Sequence, residues 1–182
     1  MSLSERILDF PLQCISTPLG QVAYRSAGSA GSAGSVGQPI WVLLHGIGSA
    51  SGSWLAQLQA AQQRGVRILA WDAPGYGQST PVQPDQPLAS DYAARVWAWL
   101  DALACAQVHL VGHSLGCLMA SAAAQAKPER VKHLWLLAPA AGYGLADPQV
   151  RARKLQERLE KLQTLGPAGM AAQRASAMLS PA

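Results

Sequence analysis

Four short apolar runs recur along the chain, and segments with helical spacing separate them. Nearly continuous apolar runs of this length are typical of strands buried on both faces, as in a parallel sheet covered by helices. The alternation of strand and helix predicts right-handed crossovers and a doubly wound α/β sheet. The runs are IWVLL (40–44), VRILAW (66–71), VHLV (108–111) and VKHLWLL (131–137).

Helices are predicted between these runs, over residues 53–64, 90–104 and 114–126. The middle segment places Val96, Leu100 and other apolar side chains on one face, which is the pattern of a helix packed against a sheet. The core of the protein is therefore expected to be an open α/β layer structure.

The two ends of the chain depart from this alternation. Near the N-terminus, two strand-like runs flank Thr17-Pro18-Leu19-Gly20, and this turn predicts an antiparallel hairpin. Near the C-terminus, Asp147-Pro148 is typical of a helix start, with an N-cap acid and proline at the first helical position. Gly166-Pro167 is expected to end that helix, and a second helix is predicted over residues 170–179. We therefore expect a core domain over 1–146 and a helical segment over 147–182.

Composition narrows the class of protein. Hydrophobic residues make up 49% of the 182 residues and charged residues 13%, about half of the usual 25%, which argues against disorder. The net charge of +4 is concentrated in the C-terminal segment, where Glu157 and Glu160 interleave with the basic residues. A solvated helix face explains this pattern, and we expect no nucleic-acid partner.

The chain shows no feature of a membrane or secreted protein. No apolar stretch approaches the length of about 18 residues that marks a spanning helix, and the first residues lack the apolar segment of a signal peptide. Three cysteines without a CxxC pair indicate neither a disulfide framework nor a metal site. The expected location is cytoplasmic, with no membrane partner, and the oligomeric state stays open.

The stretch QVHLVGHSLGCLMA (107–120) carries the strongest chemical signal. Gly-x-Ser-x-Gly between a buried strand and a helix is the pattern of a nucleophile elbow, a sharp strained turn that exposes the Ser114 hydroxyl. Gly112 and Gly116 remove Cβ atoms that would clash with the neighbouring strand and helix. The backbone N–H of Leu115, at the helix N-terminus, is a candidate oxyanion donor.

The stretch HGIGSASGSW (45–54) follows the first buried strand and allows two interpretations. Gly46 and Gly48 let the loop fold back, so that the N–H of Ile47 can face a developing negative charge. Alternatively, Gly46-x-Gly48-x-x-Ser51 with Asp72 resembles a dinucleotide fingerprint that lacks its third glycine. A tight strand-to-helix turn accounts for the glycines without either function.

A third polar stretch, WDAPGYGQST (71–80), follows the second buried strand. Asp72 and Ser79 lie among turn-forming glycine and proline residues, and we expect both side chains to fasten the loop by hydrogen bonds.

Taken in order and spacing, LLHGIGSASGSW, WDAPGYGQS and LVGHSLGCLMA resemble the α/β-hydrolase superfamily. The resemblance covers residues 12–145, and the helices from Asp147 resemble the start of its cap domain. The chain is most similar to the esterase and lactonase branch that includes 3-oxoadipate enol-lactone hydrolases, with cofactor-free haloperoxidases and C–C bond hydrolases as alternatives. The resemblance implies Ser114 as nucleophile, Ile47 and Leu115 as oxyanion donors and no cofactor. It places the triad acid and histidine later, on two more strand ends.

Those later strands are not evident in the sequence. Two more βα units need roughly 60 residues, and the last 36 residues, 147–182, have the pattern of cap helices. His109 and His133 open their strands, which puts His109 roughly 16 Å from Ser114 at the opposite edge of the sheet. His113 adjoins Ser114 but is expected to point away from it. His45, with Asp72, is the one geometric candidate for a base.

We therefore expect a serine hydrolase that acts on a small-molecule carboxylic ester or lactone through an acyl-enzyme. The chain is expected to be a truncated form of a longer enzyme, with neither the triad acid nor the triad histidine among its residues. The alternative to an enzyme is a non-catalytic remnant of the fold.

Overall fold

The computed structural model describes residues 3–28, 40–83, 85–140 and 144–177. The chain divides into two compact units, residues 1–141 and 142–182.

The first unit contains a sheet whose described strands lie in the order β1-β2-β4-β3-β5-β6. Strands β4, β3, β5 and β6 are parallel, and β1 and β2 form an antiparallel hairpin that joins the sheet through β4. The predicted mostly parallel α/β sheet and its N-terminal hairpin are confirmed. The strands are β1 (Gln13–Thr17), β2 (Gly20–Ala27), β3 (Ile40–Leu44), β4 (Ile68–Trp71), β5 (Val108–His113) and β6 (Val131–Leu137).

Helices connect the parallel strands close to the predicted positions. The predicted helix from residue 53 begins two residues earlier, as a 3-10 turn over Ser51–Trp54. The predicted strand from residue 66 begins at Ile68 instead, because Gly65 (φ 64°) ends the preceding helix and the N–H of Val66 bonds to that helix. The α-helices are α1 (Leu3–Arg6), α2 (Leu55–Arg64), α3 (Ala89–Ala102), α4 (Leu115–Ala126) and α5 (Pro148–Ala177).

Apolar clusters cover both faces of the central strands. On one face, Val42 and Leu110 of the sheet are buried with Trp99 of α3. On the other face, Leu43 is buried with Leu58 of α2. Two covered faces explain why β3 and β5 are almost continuously apolar in sequence.

Strand β6 is apolar but exposed. It pairs with β5 on one side, and within the described residues no strand pairs with its other side. Its side chains from Leu134 to Leu137 retain 37–44% of their accessible surface. The burial that its composition predicts is therefore not found in the described chain.

The second unit contains α5. The Asp147 carboxylate accepts a hydrogen bond from the N–H of Gln149 at 2.8 Å, which confirms the predicted helix start. Gly166 interrupts the helix with φ 63° and ψ 176°, as predicted, but the following helical stretch resumes at Pro167 and not at residue 170. In the described part of the chain, no helix combines the length and apolar character needed to cross a membrane.

Candidate active site

Ser114 occupies the sharp turn that the Gly-x-Ser-x-Gly pattern predicts. It joins β5 to α4 with φ 52° and ψ −115°, a conformation that is strained for any residue with a side chain. Three backbone hydrogen bonds hold it: its N–H donates to Leu137 O at 3.0 Å, and its C=O accepts from Cys117 at 3.0 Å and Ala140 at 3.2 Å. The turn is therefore fastened to both α4 and the end of β6.

Glycines allow the chain segments around Ser114 to approach closely. A Cβ at Gly116 would lie 2.1 Å from Leu44 O, and one at Gly112 would lie 2.5 Å from Gly116 O, so no side chain fits at either position. A Cβ at Gly46 would lie 3.0 Å from the Ser114 Cβ. The loop that follows β3 thus packs directly against the serine turn.

Two backbone N–H groups beside this contact donate to no acceptor among the described residues. Among the hydrogen bonds of the described residues, neither the Ile47 N–H nor the Leu115 N–H donates to a backbone acceptor. Both residues are partly exposed, and Gly48 (φ 68°) supplies the left-handed turn that follows Ile47. Free N–H groups on the two segments that meet at a nucleophile are suited to stabilising an oxyanion.

His45 does not supply a base. The side chain is 2% exposed, its Nδ1–H donates to Gly46 O at 2.8 Å, and its Nε2 accepts from the N–H of Ala73 at 3.0 Å. Burial lowers the pKa of His45, and the Gly46 carbonyl and the Asp72 charge oppose this shift without cancelling it. Because both ring nitrogens are bonded within the loops, the considered His45–Asp72 base is wrong.

Asp72 and Ser79 have the loop-fastening roles expected of them. The Asp72 Oδ1 accepts from the N–H of Ser51 at 2.7 Å. The Ser79 hydroxyl donates to Asp72 O at 2.6 Å and accepts from the N–H of Ala23 at 2.9 Å. Both side chains are buried, and their bonds tie the end of β4 to the loop after β3 and to β2.

The remaining histidines do not bond to Ser114 either. His109 and His133 are register partners on β5 and β6, and their Nδ1 atoms lie 3.1 Å from each other. His113 is exposed, and its ring meets Trp54 edge-on. The described residues therefore bring together a serine and two free N–H groups, without a histidine bonded to the serine. No group of three potential metal-ligating side chains occurs among them either.

Sequence reasoning missed Tyr76. Its hydroxyl oxygen accepts from the N–H of Gly48 at 3.4 Å, and its ring lies edge-on to His45 with 4.9 Å between ring centroids. The available signal was one aromatic side chain between Gly75 and Gly77 in a loop at the functional edge of the sheet.

Comparison with known proteins identifies the family to which the chain belongs. The family described as alpha/beta hydrolase fold matches residues 39–178. The chain is 31% identical over 101 residues to (E)-2-((N-methylformamido)methylene)succinate hydrolase of Acinetobacter baylyi, covering 56% of the chain and 37% of that protein. It is 33% identical over 117 residues to the bovine (Bos taurus) (lyso)-N-acylphosphatidylethanolamine lipase, covering 61% of the chain and 34% of the lipase.

A solved structure shows the same fold. A hydrolase from Pseudomonas aeruginosa PA01 superimposes with a TM-score of 0.66 at 30% identity, and the match covers 84% of the chain and 53% of that hydrolase. The chain thus spans about a third of the length of the two curated relatives and about half of the length of this structure.

Proposed function

The chain belongs to the alpha/beta hydrolase fold family, and on that premise we propose that it carries the nucleophile and oxyanion donors of a serine hydrolase acting on a carboxylic ester or lactone. The observation that supports this most directly is Ser114 in a strained turn that packs against the Gly46 loop. The described relatives are hydrolases, and one of them is a lipase.

The proposed reaction proceeds through an acyl-enzyme. The Ser114 oxygen attacks the substrate carbonyl carbon while a base accepts the hydroxyl proton. The N–H groups of Ile47 and Leu115 bind the oxyanion of the tetrahedral intermediate. The C–O bond to the leaving alcohol then breaks, and the alcohol receives the proton from the base. Water attacks the acyl-enzyme in the same way, releasing the carboxylic acid and restoring Ser114.

We assign the base and its orienting acid to polypeptide outside these 182 residues. This assignment rests on the occupied ring of His45 and on the bonding of His109 to His133. In the same proposal, residues 147–182 are the beginning of a cap domain. The three free cysteines suit a reducing, cytoplasmic setting.

The dinucleotide alternative loses its main support. The absence of a Cβ at Gly46 serves the close contact with Ser114, so this glycine needs no bound pyrophosphate to explain it. The family resemblance leaves C–C bond hydrolases and cofactor-free haloperoxidases as alternatives with the same site. Measuring the turnover of substrates of each class distinguishes these activities from that of an esterase.

The proposal is tested by covalent labelling with a fluorophosphonate, followed by peptide mass spectrometry, and by turnover of short-chain p-nitrophenyl esters. Wild type is compared with Ser114→Ala and with Ser121→Ala, a control on the same helix. Labelling of the Ser114 peptide that is lost only in Ser114→Ala supports the proposal, even if the labelling is slow. The absence of label and turnover in wild type supports a non-catalytic remnant instead.

The location of the base is tested at the level of the gene. The coding DNA is read beyond codon 182, and any in-frame extension is expressed with the chain. An extension with an apolar strand ending in aspartate and a later histidine, which raises ester turnover, supports the assignment. A stop codon followed by unrelated sequence contradicts it.

A further inference from the structure

Two loops at the functional edge of the sheet are joined by three hydrogen bonds. We name residues 45–51 the oxyanion loop and residues 72–77 the clasp loop. The clasp loop bonds to the start, the middle and the end of the oxyanion loop. The bonds are Ala73 N–H to His45 Nε2 at 3.0 Å, Gly48 N–H to Tyr76 Oη at 3.4 Å and Ser51 N–H to Asp72 Oδ1 at 2.7 Å.

We propose that the clasp loop orients the oxyanion donor Ile47, acting through the side chain of His45. His45 and Tyr76 are then positioning residues. The inference rests on the proposed role of Ile47 as an oxyanion donor and adds what determines the direction of its N–H.

The geometry of one peptide unit carries the inference. The C=O of Gly46 and the N–H of Ile47 belong to the same planar trans peptide and point in opposite directions. The Gly46 oxygen, on the side of the peptide away from the Ile47 N–H, accepts from the Nδ1–H of His45 at 2.8 Å and from the N–H of Ser49 at 3.3 Å. Any rotation of this peptide that redirects the N–H of Ile47 must therefore break the bond to His45.

The clasp loop controls which nitrogen of His45 carries the proton. The N–H of Ala73 can bond only to an unprotonated Nε2, so the proton of the neutral ring must reside on Nδ1, where Gly46 O accepts it. The clasp loop thereby sets the tautomer, and the Nδ1–H of that tautomer is the shorter of the two hydrogen bonds that hold the Gly46 oxygen.

Protonation of His45 should break the bond between the ring and the clasp loop, because Nε2 then carries a proton, whereas Nδ1–H continues to donate to Gly46 O. The groups that face the ring and its loop are Asp72 and Tyr76 of the clasp loop and His113 at the end of β5. Burial lowers the pKa of His45 below its ordinary value of 6.5, and in the unfolded chain the ring titrates near that ordinary value. The bond from Ala73 is therefore intact above pH 6.5 and is lost as the pH falls through the lower folded pKa.

The first test is NMR of the 182-residue chain labelled with ¹⁵N, in which Leu136→Lys on the exposed strand β6 opposes association in every sample. The variants are His45→Ala, which removes the bond to Gly46, and His45→Asn, whose side-chain N–H can replace Nδ1–H. We expect the Ile47 amide resonance to shift and its hydrogen exchange to accelerate in His45→Ala, and to return toward wild type in His45→Asn. The Leu115 amide, on the other segment, is the internal control and should keep its shift.

The second variant pair keeps the test valid if His45→Ala does not fold. Tyr76→Phe removes only the hydroxyl, so it should shift the Gly48 amide more than the Ile47 amide. In wild type, the imidazole ¹⁵N signals should show a proton on Nδ1 at neutral pH. As the pH falls below 6.5, the Ile47 amide should titrate with the same midpoint as Nε2.

Labelling of Ser114 by the fluorophosphonate gives the chemical readout. Removal of one oxyanion donor lowers catalytic rates by about 10²–10³-fold, so His45→Ala should label at least tenfold more slowly, with recovery in His45→Asn. An Ile47 amide that neither shifts in a folded His45→Ala protein nor titrates with His45 overturns the clasp. If Ser114 is labelled neither in wild type nor in any variant while the NMR effects are observed, the proposed function is contradicted, but the positioning of Ile47 by the clasp loop is supported.

Discussion

Strands β5 and β6 are neighbours with similar apolar sequences and opposite surroundings. Leu110 of β5 and Leu134 of β6 are register partners, yet Leu110 is fully buried and Leu134 is 38% exposed. Strand β5 lies between β3 and β6 and is covered by helices, whereas β6 has a strand neighbour on one side only within the described residues. The apolar sequence of a strand therefore favours burial, but the neighbouring elements determine whether the strand is buried.

The candidate site depends on both strands. Ser114 follows β5, and its loop contact at Gly46 comes from the well-covered strand β3. Its backbone N–H, however, bonds to Leu137 at the end of β6. A change in the surroundings of β6 can therefore reach the nucleophile through the backbone hydrogen bonds that Leu137 and Ala140 make with Ser114.

The largest expected effect concerns the state of association. An apolar strand with an unpaired edge favours pairing with another chain, so the 182-residue chain should form oligomers or precipitate. Leu136→Lys on β6 should raise the monomer fraction in light scattering, because a charged side chain on an edge strand opposes pairing. Leu159→Lys, at a similarly exposed leucine of α5, is the matched control. A monodisperse wild-type monomer would contradict this prediction.

The comparison of the register partners can be measured directly. Leu110→Ala should lower the free energy of unfolding by about 2–5 kcal/mol, because it leaves a cavity in a packed core. Leu134→Ala should lower it by less than about 1 kcal/mol, since its side chain is already partly in water. Urea unfolding of both variants checks the prediction, and equal losses would show that β6 is as well packed as β5.

A glycine pair tests the close packing on the β5 side. Gly116→Ala places a Cβ 2.1 Å from Leu44 O, and such overpacking costs about 1–3 kcal/mol or more. Gly52→Ala is the control, because the nearest atoms there lie 3.8 Å away. Urea midpoints should fall for Gly116→Ala and stay close to wild type for Gly52→Ala. A tolerated Gly116→Ala would contradict the contact between α4 and β3.

The smallest expected effect lies at the start of β6, where Arg130 contacts Asp101 of α3 at 2.5 Å. Burial opposes ionisation of Asp101, but the hydrogen bond and charge of Arg130 outweigh it, so the pKa of Asp101 falls below 3.8. The pair therefore contributes stability above about pH 4, which is lost as the pH falls through the lower folded pKa. Because Asp101 is half exposed, the contribution is at most about 1 kcal/mol.

Asp101→Asn removes this contribution together with the ion pair between Asp101 and Lys127 at 3.6 Å. Wild type should exceed Asp101→Asn in urea midpoint at pH 6, and the difference should narrow at pH 3. Glu129→Gln serves as control, because Glu129 belongs to none of the ion pairs of the described residues. A difference that is constant with pH would assign the effect of the variant to packing.

Much of the fold and half of the site were predictable from local sequence. The glycines around Ser114 predict a turn because only residues without a Cβ fit such close approaches, and the structure leaves no room for a Cβ at Gly112 or Gly116. The Asp147-Pro148 start of α5 is equally local. Tyr76 was missed because its partner, Gly48, lies 28 residues away.

The sequence by itself predicted the apolar runs that become strands and the position of the serine turn, because each depends on residues within one turn or one strand. Only the tertiary structure decided that both ring nitrogens of His45 form hydrogen bonds within the loops and that the side chains of β6 are exposed in the described chain. Those outcomes depend on which distant segments meet. Ala73 meets His45 in one case, and in the other β5 is the one strand paired with β6 among the described residues. A hydrogen bond or a buried contact requires groups from two segments, so the sequence of one segment alone does not specify it.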